Sequence, residues 1–156
     1  MPDGLRVNAM DHVAIMVSDL ERAFRFYHDL LGMEKQEYYE EKYIEGVSEV
    51  LGLSNVQMKR YIMSSPSNPG VTLHLTKLDH PESPSGRPEI HHVPSTHIGF
   101  TVDDIEAIYQ ALKTRGAEFV SKPVHYPPQA GGWGVCFLYD PDGNLLELAE
   151  VPKKDD

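Results

Sequence analysis

Three imidazoles and one carboxylate stand where they could serve a single chemistry. His12, His74, His97 and Glu147 each interrupt a stretch of alternating aliphatic residues. Polar groups set among such neighbours are costly unless they have partners. Imidazole nitrogens with one carboxylate oxygen make a donor set for a borderline divalent metal, and the nitrogen count favours Ni, Co, Zn or Fe(II) over Mg or Ca while leaving Mn open. Neutral imidazoles and one carboxylate would leave that ion a net charge of about +1, which suits an anionic substrate oxygen. The other histidines lack this setting. His28 falls on the polar side of a helical stretch, His80, His91 and His92 lie in a Pro- and Ser-rich segment, and His125 lies in or beside a strand. Cys136 is the single cysteine, so neither a disulfide framework nor a Cys-based zinc site can form within the chain.

Bringing the four groups together needs elements that place them alike, and an internal repeat supplies these. Val13, Ile15 and Val17 alternate with His12, Ala14 and Met16, a period of two with β-branched residues that predicts a half-buried strand. Ser18 and Glu21 have capping-box spacing, which predicts a helix start. Leu20, Ala23, Phe24, Tyr27, Leu30 and Leu31 follow as one apolar stripe, and Gly32 ends it. The same sentence returns in the second half of the chain. Ile98, Phe100 and Val102 alternate with His97, Gly99 and Thr101; Asp103 and Glu106 take the capping-box places; Ile105, Ile108, Tyr109 and Leu112 make the stripe; Gly116 ends it. This alignment sets His12 on His97 and Glu21 on Glu106.

Strands complete each unit. Residues 33–43, 56–63 and 71–78 read as strands in the first, with 44–51 a short helix or loop. Residues 118–122, 134–139 and 144–151 read as strands in the second, the last two joined by Asp140-Pro141-Asp142-Gly143, a strong turn. Residues 79–95 lack periodicity and are rich in Pro and Ser, which predicts a linker between modules 1–78 and 96–156. On the last strands, Leu73 and Leu75 alternate with Thr72, His74 and Thr76, and Leu146 and Leu148 with Leu145, Glu147 and Ala149. Superposing them sets His74 on Glu147. All four donors then face away from the helices, two on first strands and two on last strands.

Composition narrows the partners. Of 156 residues, 24 are acidic and 14 basic, a net charge of -10, which argues against nucleic acid or an anionic membrane as the main partner. A chain of this length buries roughly 68–70% of its unfolded surface and needs no disulfides. No apolar run approaches the ~18 residues of a spanning helix, and the first residues lack the apolar core of a secretion signal, so the expected location is cytoplasmic.

The openings DHVAIMVSDLERAFRFYHDLLGM and HIGFTVDDIEAIYQALKTRGAEF, with the closing hairpin FLYDPDGNLLELAE, resemble the vicinal oxygen chelate superfamily, which includes glyoxalase I, methylmalonyl-CoA epimerase, extradiol dioxygenases and fosfomycin-resistance proteins. The resemblance covers nearly the whole chain. It implies an α+β fold in which two βαβββ modules, helices outward, curl mixed sheets around a central metal cleft. It places the metal ligands on the first and last strand of each module, which are His12, His74, His97 and Glu147 here. It also implies a homodimer. Two positions depart from the pattern. Glyoxalase I typically carries a carboxylate at the place of His74, and the epimerase an amide; extradiol enzymes carry Tyr at the place of Phe137.

The expected activity is that of a metal-dependent lyase or isomerase. The substrate would be a small molecule with adjacent oxygens, chelated by the ion and isomerised through an enediolate, with Glu147 as the base. Two alternatives stand beside it. One is an Fe(II) extradiol-type dioxygenase built on His12, His97 and Glu147, which needs His74 to leave the ion so that both substrate and dioxygen can bind. The other is a metal-free binder of the drug-resistance type. Trp133, Phe137 and Arg60 are candidates for substrate contact. Trp133 stands at a Gly-rich lip, and Phe137 shares its strand face. Arg60 adjoins Lys59, so only one of the two can face inward.

Overall fold

The computed structural model describes residues 7, 9–42, 45–84, 86, 87, 89–91, 93 and 95–152. Tyr43 and Ile44, expected at a strand end and a following helix or loop, and His92, expected in the linker, lie outside the described residues. Two compact units divide the chain, Met1–Ser85 and Gly86–Asp156.

The first unit runs β1 (His12–Met16), α1 (Leu20–Arg25) prolonged by a wider π-helical turn (Phe26–Leu30), β2 (Glu34–Lys42), α2 (Glu45–Leu51), β3 (Gln57–Ser65) and β4 (Asn68–His80). The second runs β5 (His97–Val102), α3 (Ile105–Thr114), β6 (Glu118–Phe119), β7 (Val124–His125), a single 3-10 turn (Pro128–Ala130), β8 (Gly134–Tyr139) and β9 (Leu145–Glu150). The strand orders are β1-β4-β3-β2 and β5-β9-β8-β6, with β7 also paired to β8. In both sheets the first strand lies parallel to the last and the remaining pairs are antiparallel. The fold is therefore α+β, with two curved mixed sheets and few helices. Among the described residues no helix is long and apolar enough to cross a membrane.

The alternation of the sequence decides which face of each sheet meets its helix. Leu73, Leu75 and Met63 are buried on the side that receives α1, together with Leu20, Ala23 and Tyr27. Leu138, Leu146 and Leu148 are buried on the side that receives α3, with Ile105 and Leu112. Each fully buried aliphatic or aromatic side chain contributes about 1.5–3 kcal/mol by leaving water. Gly32 ends the first helical segment at φ 71° and Gly116 follows the second at φ 87°, the left-handed conformation that glycine adopts without a Cβ clash.

Both helix starts lie one residue later than the capping-box spacing predicts. The N-caps are Asp19, whose Oδ1 accepts from the Arg22 amide at 2.9 Å, and Asp104, whose Oδ1 accepts from the Ala107 amide at 2.8 Å. Ser18 Oγ instead accepts from the Arg22 guanidinium. Neither Glu21 nor Glu106 closes a capping box. Glu21 takes the Tyr61 hydroxyl, and Glu106 takes His125 Nε2. The first amide of α3 is capped from a distance, by Glu150 Oε2 on β9 at 2.9 Å. A carboxylate makes a stronger, charge-assisted cap than a hydroxyl, so where Ser-Asp or Asp-Asp offers two candidates, tertiary partners decide between them.

Candidate metal centre

Strand register builds the site in halves. In the first unit β1 pairs with β4 so that His12 stands opposite Thr72 and Ala14 opposite His74. In the second, β5 pairs with β9 so that His97 stands opposite Leu145 and Gly99 opposite Glu147. The two registers are the same once the repeat is aligned. In each half a small residue, Ala14 or Gly99, leaves room beside the donor on the last strand.

His12 and His74 come together in the first half. Their rings stack at 4.1 Å between centroids and 6° between planes. Asp11 Oδ2 lies 2.7 Å from His12 Nδ1, and Thr72 Oγ1 lies 3.1 Å from His74 Nε2. His74 is only 8% exposed, and its Nδ1 is buried with no hydrogen-bond partner. Burial, then the neighbouring His12 and the Arg60 guanidinium, hold the His74 ring below the usual imidazole range, so it stays neutral. Arg60 itself lies on this face. It is opposite Thr76 in register, and its Nε donates to Thr76 Oγ1 at 3.2 Å. Lys59 points to the other face, where it pairs with Asp79 at 3.1 Å.

His97 and Glu147 come together in the second half, with His97 Nε2 3.0 Å from Glu147 Oε2. Phe137 stands opposite Glu147 on β8 and meets the His97 ring edge-on at 5.3 Å. Trp133 lies just before β8, about 13 Å of strand away from Phe137 at ~3.3 Å per residue, and its side chain is half-exposed. Of the three expected substrate-contact residues, Phe137 and Arg60 thus sit among the donors of their own unit, and Trp133 is set apart from them along the strand.

The donor chemistry fits a divalent cation. An imidazole nitrogen buried without a partner is an orphan that a metal would satisfy, and His12 keeps Nε2 clear of its bond to Asp11. Within either unit, among the described residues, the donors form pairs, and no three His, Cys, Asp or Glu side chains cluster around one point. Asp11 and Thr72 were not singled out from the sequence. Their signal was there as the dipeptide Asp11-His12 and as the same-face spacing Thr72-x-His74 on one strand.

Known proteins share this arrangement of elements. A glyoxalase family protein from Bacillus cereus has the same fold, with a TM-score of 0.85 over 96% of this chain and 98% of that one at 23% identity. The lactoylglutathione lyase of Haemophilus influenzae is 27% identical over 89% of this chain and 90% of its own length. A probable chloroplastic lactoylglutathione lyase of Arabidopsis thaliana is 28% identical over 90% of this chain, which spans only 35% of that longer protein. The model of the Glyoxalase/Bleomycin resistance protein/Dioxygenase superfamily matches residues 9–148, and the chain belongs to that superfamily.

Proposed function

We propose that the protein is a metal-dependent lyase or isomerase of the glyoxalase type. His12, His74, His97 and Glu147 hold one divalent cation, Ni, Co, Zn or Fe(II), with Mn also admissible, and the working form is a homodimer. The observation that carries this reading is the pairing of donors within each half: two stacked imidazoles with an orphaned buried nitrogen in one, and an imidazole on a carboxylate in the other. The relatives named lactoylglutathione lyase support the lyase class.

A cation held there supplies Lewis acidity to two neighbouring substrate oxygens, which lowers the pKa of the adjoining C–H. The rest falls to the chain's own groups. Glu147 is the single carboxylate of the donor set, and its Oε2 is within hydrogen-bonding distance of His97. It takes a proton from the carbon beside the substrate carbonyl and returns it to the neighbouring carbon, so that the substrate passes through an enediolate. Phe137 stands opposite Glu147 in register and meets the His97 ring edge-on, an apolar neighbour for the pair. Arg60 offers a cation on the face that carries His74, where an acidic group of the substrate would rest.

Metal analysis of the purified protein beside His74→Ala tests the reading, followed by two assays. One follows deuterium exchange into 2-oxo-aldehyde thiohemiacetals and 2-acyl thioesters, and the other follows oxygen uptake with catechols. We expect one metal per chain in the wild type, less in the variant, and exchange without oxygen uptake. Oxygen uptake would overturn the reading in favour of an Fe(II) dioxygenase. Ligand binding by a protein that takes up no metal would overturn it in favour of a binder.

A further inference from the structure

The sheet face that carries Glu147 changes character along its strands. At one end stand the His97–Glu147 pair and Phe137. Further along the same face Val135 stands opposite Ala149, and by alternation Trp133 and Val151 lie beyond them. β7 widens this stretch, since Val124 stands opposite Val135 and the Tyr126 amide donates to the Trp133 carbonyl at 2.7 Å. His125, between Val124 and Tyr126, turns to the other face, where it meets Glu106 of α3. From Phe137 to Trp133 the stretch runs about 13 Å at ~3.3 Å per residue, and the side chains that β7, β8 and β9 present along it are uncharged.

Val124, Tyr126, Trp133 and Val151 are 52%, 50%, 40% and 41% exposed, and contiguous apolar surface left in water marks a place where something binds. The lip of this surface is built. The Ala130 and Gly132 amides both donate to the Pro127 carbonyl, at 2.8 and 3.1 Å. Gly131, at φ 97°, lies so close under the Trp133 indole that a Cβ there would stand 2.6 Å from the ring. The occupant has to match two chemistries. A protein surface laid over the whole face would bury the His97–Glu147 pair away from water, which is costly. A small molecule with oxygens at one end and an apolar group at the other meets each end of the face with its like.

We propose that this stretch of the second unit binds the apolar end of the substrate, an alkyl or aryl group carried beyond the two adjacent oxygens that react beside Glu147. The inference rests on the lyase or isomerase reading above and adds the substrate class to it: an amphiphilic molecule whose tail lies along β8 from Phe137 toward Trp133. Val124, Tyr126, Trp133 and Val151 are then specificity-determining residues, and tail length is what they read.

The test uses acetohydroxamate, hexanohydroxamate and octanohydroxamate, which carry two adjacent oxygens on tails of increasing length. Binding to the full chain is measured by calorimetry, with Co(II) added and after chelator treatment, and by the emission of Trp133, the single tryptophan. We expect affinity to rise about 2- to 4-fold per added methylene, and octanohydroxamate, but not acetohydroxamate, to shift the Trp133 emission to the blue and shield it from acrylamide. The isosteric double variant Val124→Thr/Val151→Thr should bind octanohydroxamate about 10-fold more weakly and acetohydroxamate unchanged, whereas Val50→Thr, at an exposed position on α2, should match wild type. Affinity that does not rise with tail length, or no binding of octanohydroxamate at all, overturns the inference. So does a rise that leaves Trp133 emission and the double variant unaffected, because the tail then lies elsewhere. Acrylamide quenching that weakens as ligand-free protein is concentrated assigns the face to a second copy of the chain and also overturns it. A protein that takes up no Co(II) yet keeps the tail-length dependence sinks the metal reading alone and leaves the inference standing.

Discussion

Tyr61→Phe removes one oxygen and tests how α1 is tied to the sheet that carries Arg60 and His74. The Tyr61 ring lies 5.1 Å from Phe24 and 5.3 Å from Tyr38, with Lys35 Nζ 5.2 Å above it, and phenylalanine can keep all three contacts. What is lost is the hydroxyl, which donates to Glu21 Oε1 at 2.5 Å. That bond, helped by partial burial and by the Glu21 charge, pushes the phenol from 10.0 up to about 12. At ~1.36 kcal/mol per pH unit, a shift of that size would correspond to about 2.7 kcal/mol. Glu21 is exposed, so solvent screens the interaction, and the expected contribution is nearer ~1 kcal/mol.

The sign follows from linkage. The folded phenol titrates above the unfolded one, so the contribution is complete below the unfolded value of 10.0 and disappears as pH rises through about 12. Urea unfolding at pH 8 should therefore find Tyr61→Phe less stable by about 1 kcal/mol, with the gap closing above pH 10. Phenolate absorption should show one of the eight tyrosines titrating near 12 in the wild type, absent in Tyr61→Phe and displaced downward in Glu21→Gln. Equal stability of the two proteins at pH 8, or a Glu21→Gln protein whose late phenol does not move, would refute the reasoning.

Other expectations follow from single contacts. Cys136 is 1% exposed and burial pushes its thiol up to about 11, so Ellman's reagent at pH 8 should react only at the rate of unfolding. Leu75→Ala, at a fully buried position on the α1 side of β4, should cost about 2–5 kcal/mol in urea unfolding. Gly99 has ordinary strand backbone, and a Cβ there would meet nothing within 4 Å, so Gly99→Ala should raise stability by about 0.5–1 kcal/mol. Asp19→Ala should lower the thermal midpoint more than Ser18→Ala, since the aspartate carboxylate holds the Arg22 amide; the reverse order would restore the serine as cap.

Period and repeat made most of the scaffold legible. Val13, Ile15 and Val17 set the facing of β1, and aligning His12 with His97 matched β1 and β4 with β5 and β9, whose positions pair in the same way. The misreadings have a common cause. Glu21 and Glu106 have capping-box spacing, yet their carboxylates are drawn to Tyr61 and His125, partners far away in sequence that no local spacing reveals. β7 has two residues, too few for any period to register, and it forms because His125 and Val124 meet Gly134 and Val135 of β8. On β4, Leu73 through Thr76 are buried on both faces, where alternation alone predicts one wet face.

The repeat also explains why matching strand positions were readable while their chemistry was not. Duplication fixes where a side chain stands, and the chemistry lies where the copies differ. His74 and Glu147 share one place, and so do Arg60 and Val135, and Ile62 and Phe137, as the pairing with Thr76, Ala149, His74 and Glu147 sets out. One sheet face of the first unit accordingly carries two imidazoles and a guanidinium, and the second unit sets its carboxylate beside an aromatic ring. A base that moves a proton needs a setting whose field differs from that of the groups holding substrate charge. The break at the last-strand position, histidine in one copy and glutamate in the other, gives the two places different settings: His74 stays neutral in its buried place, and Glu147 lies 3.0 Å from His97, which is what the proposed role of Glu147 as base draws on.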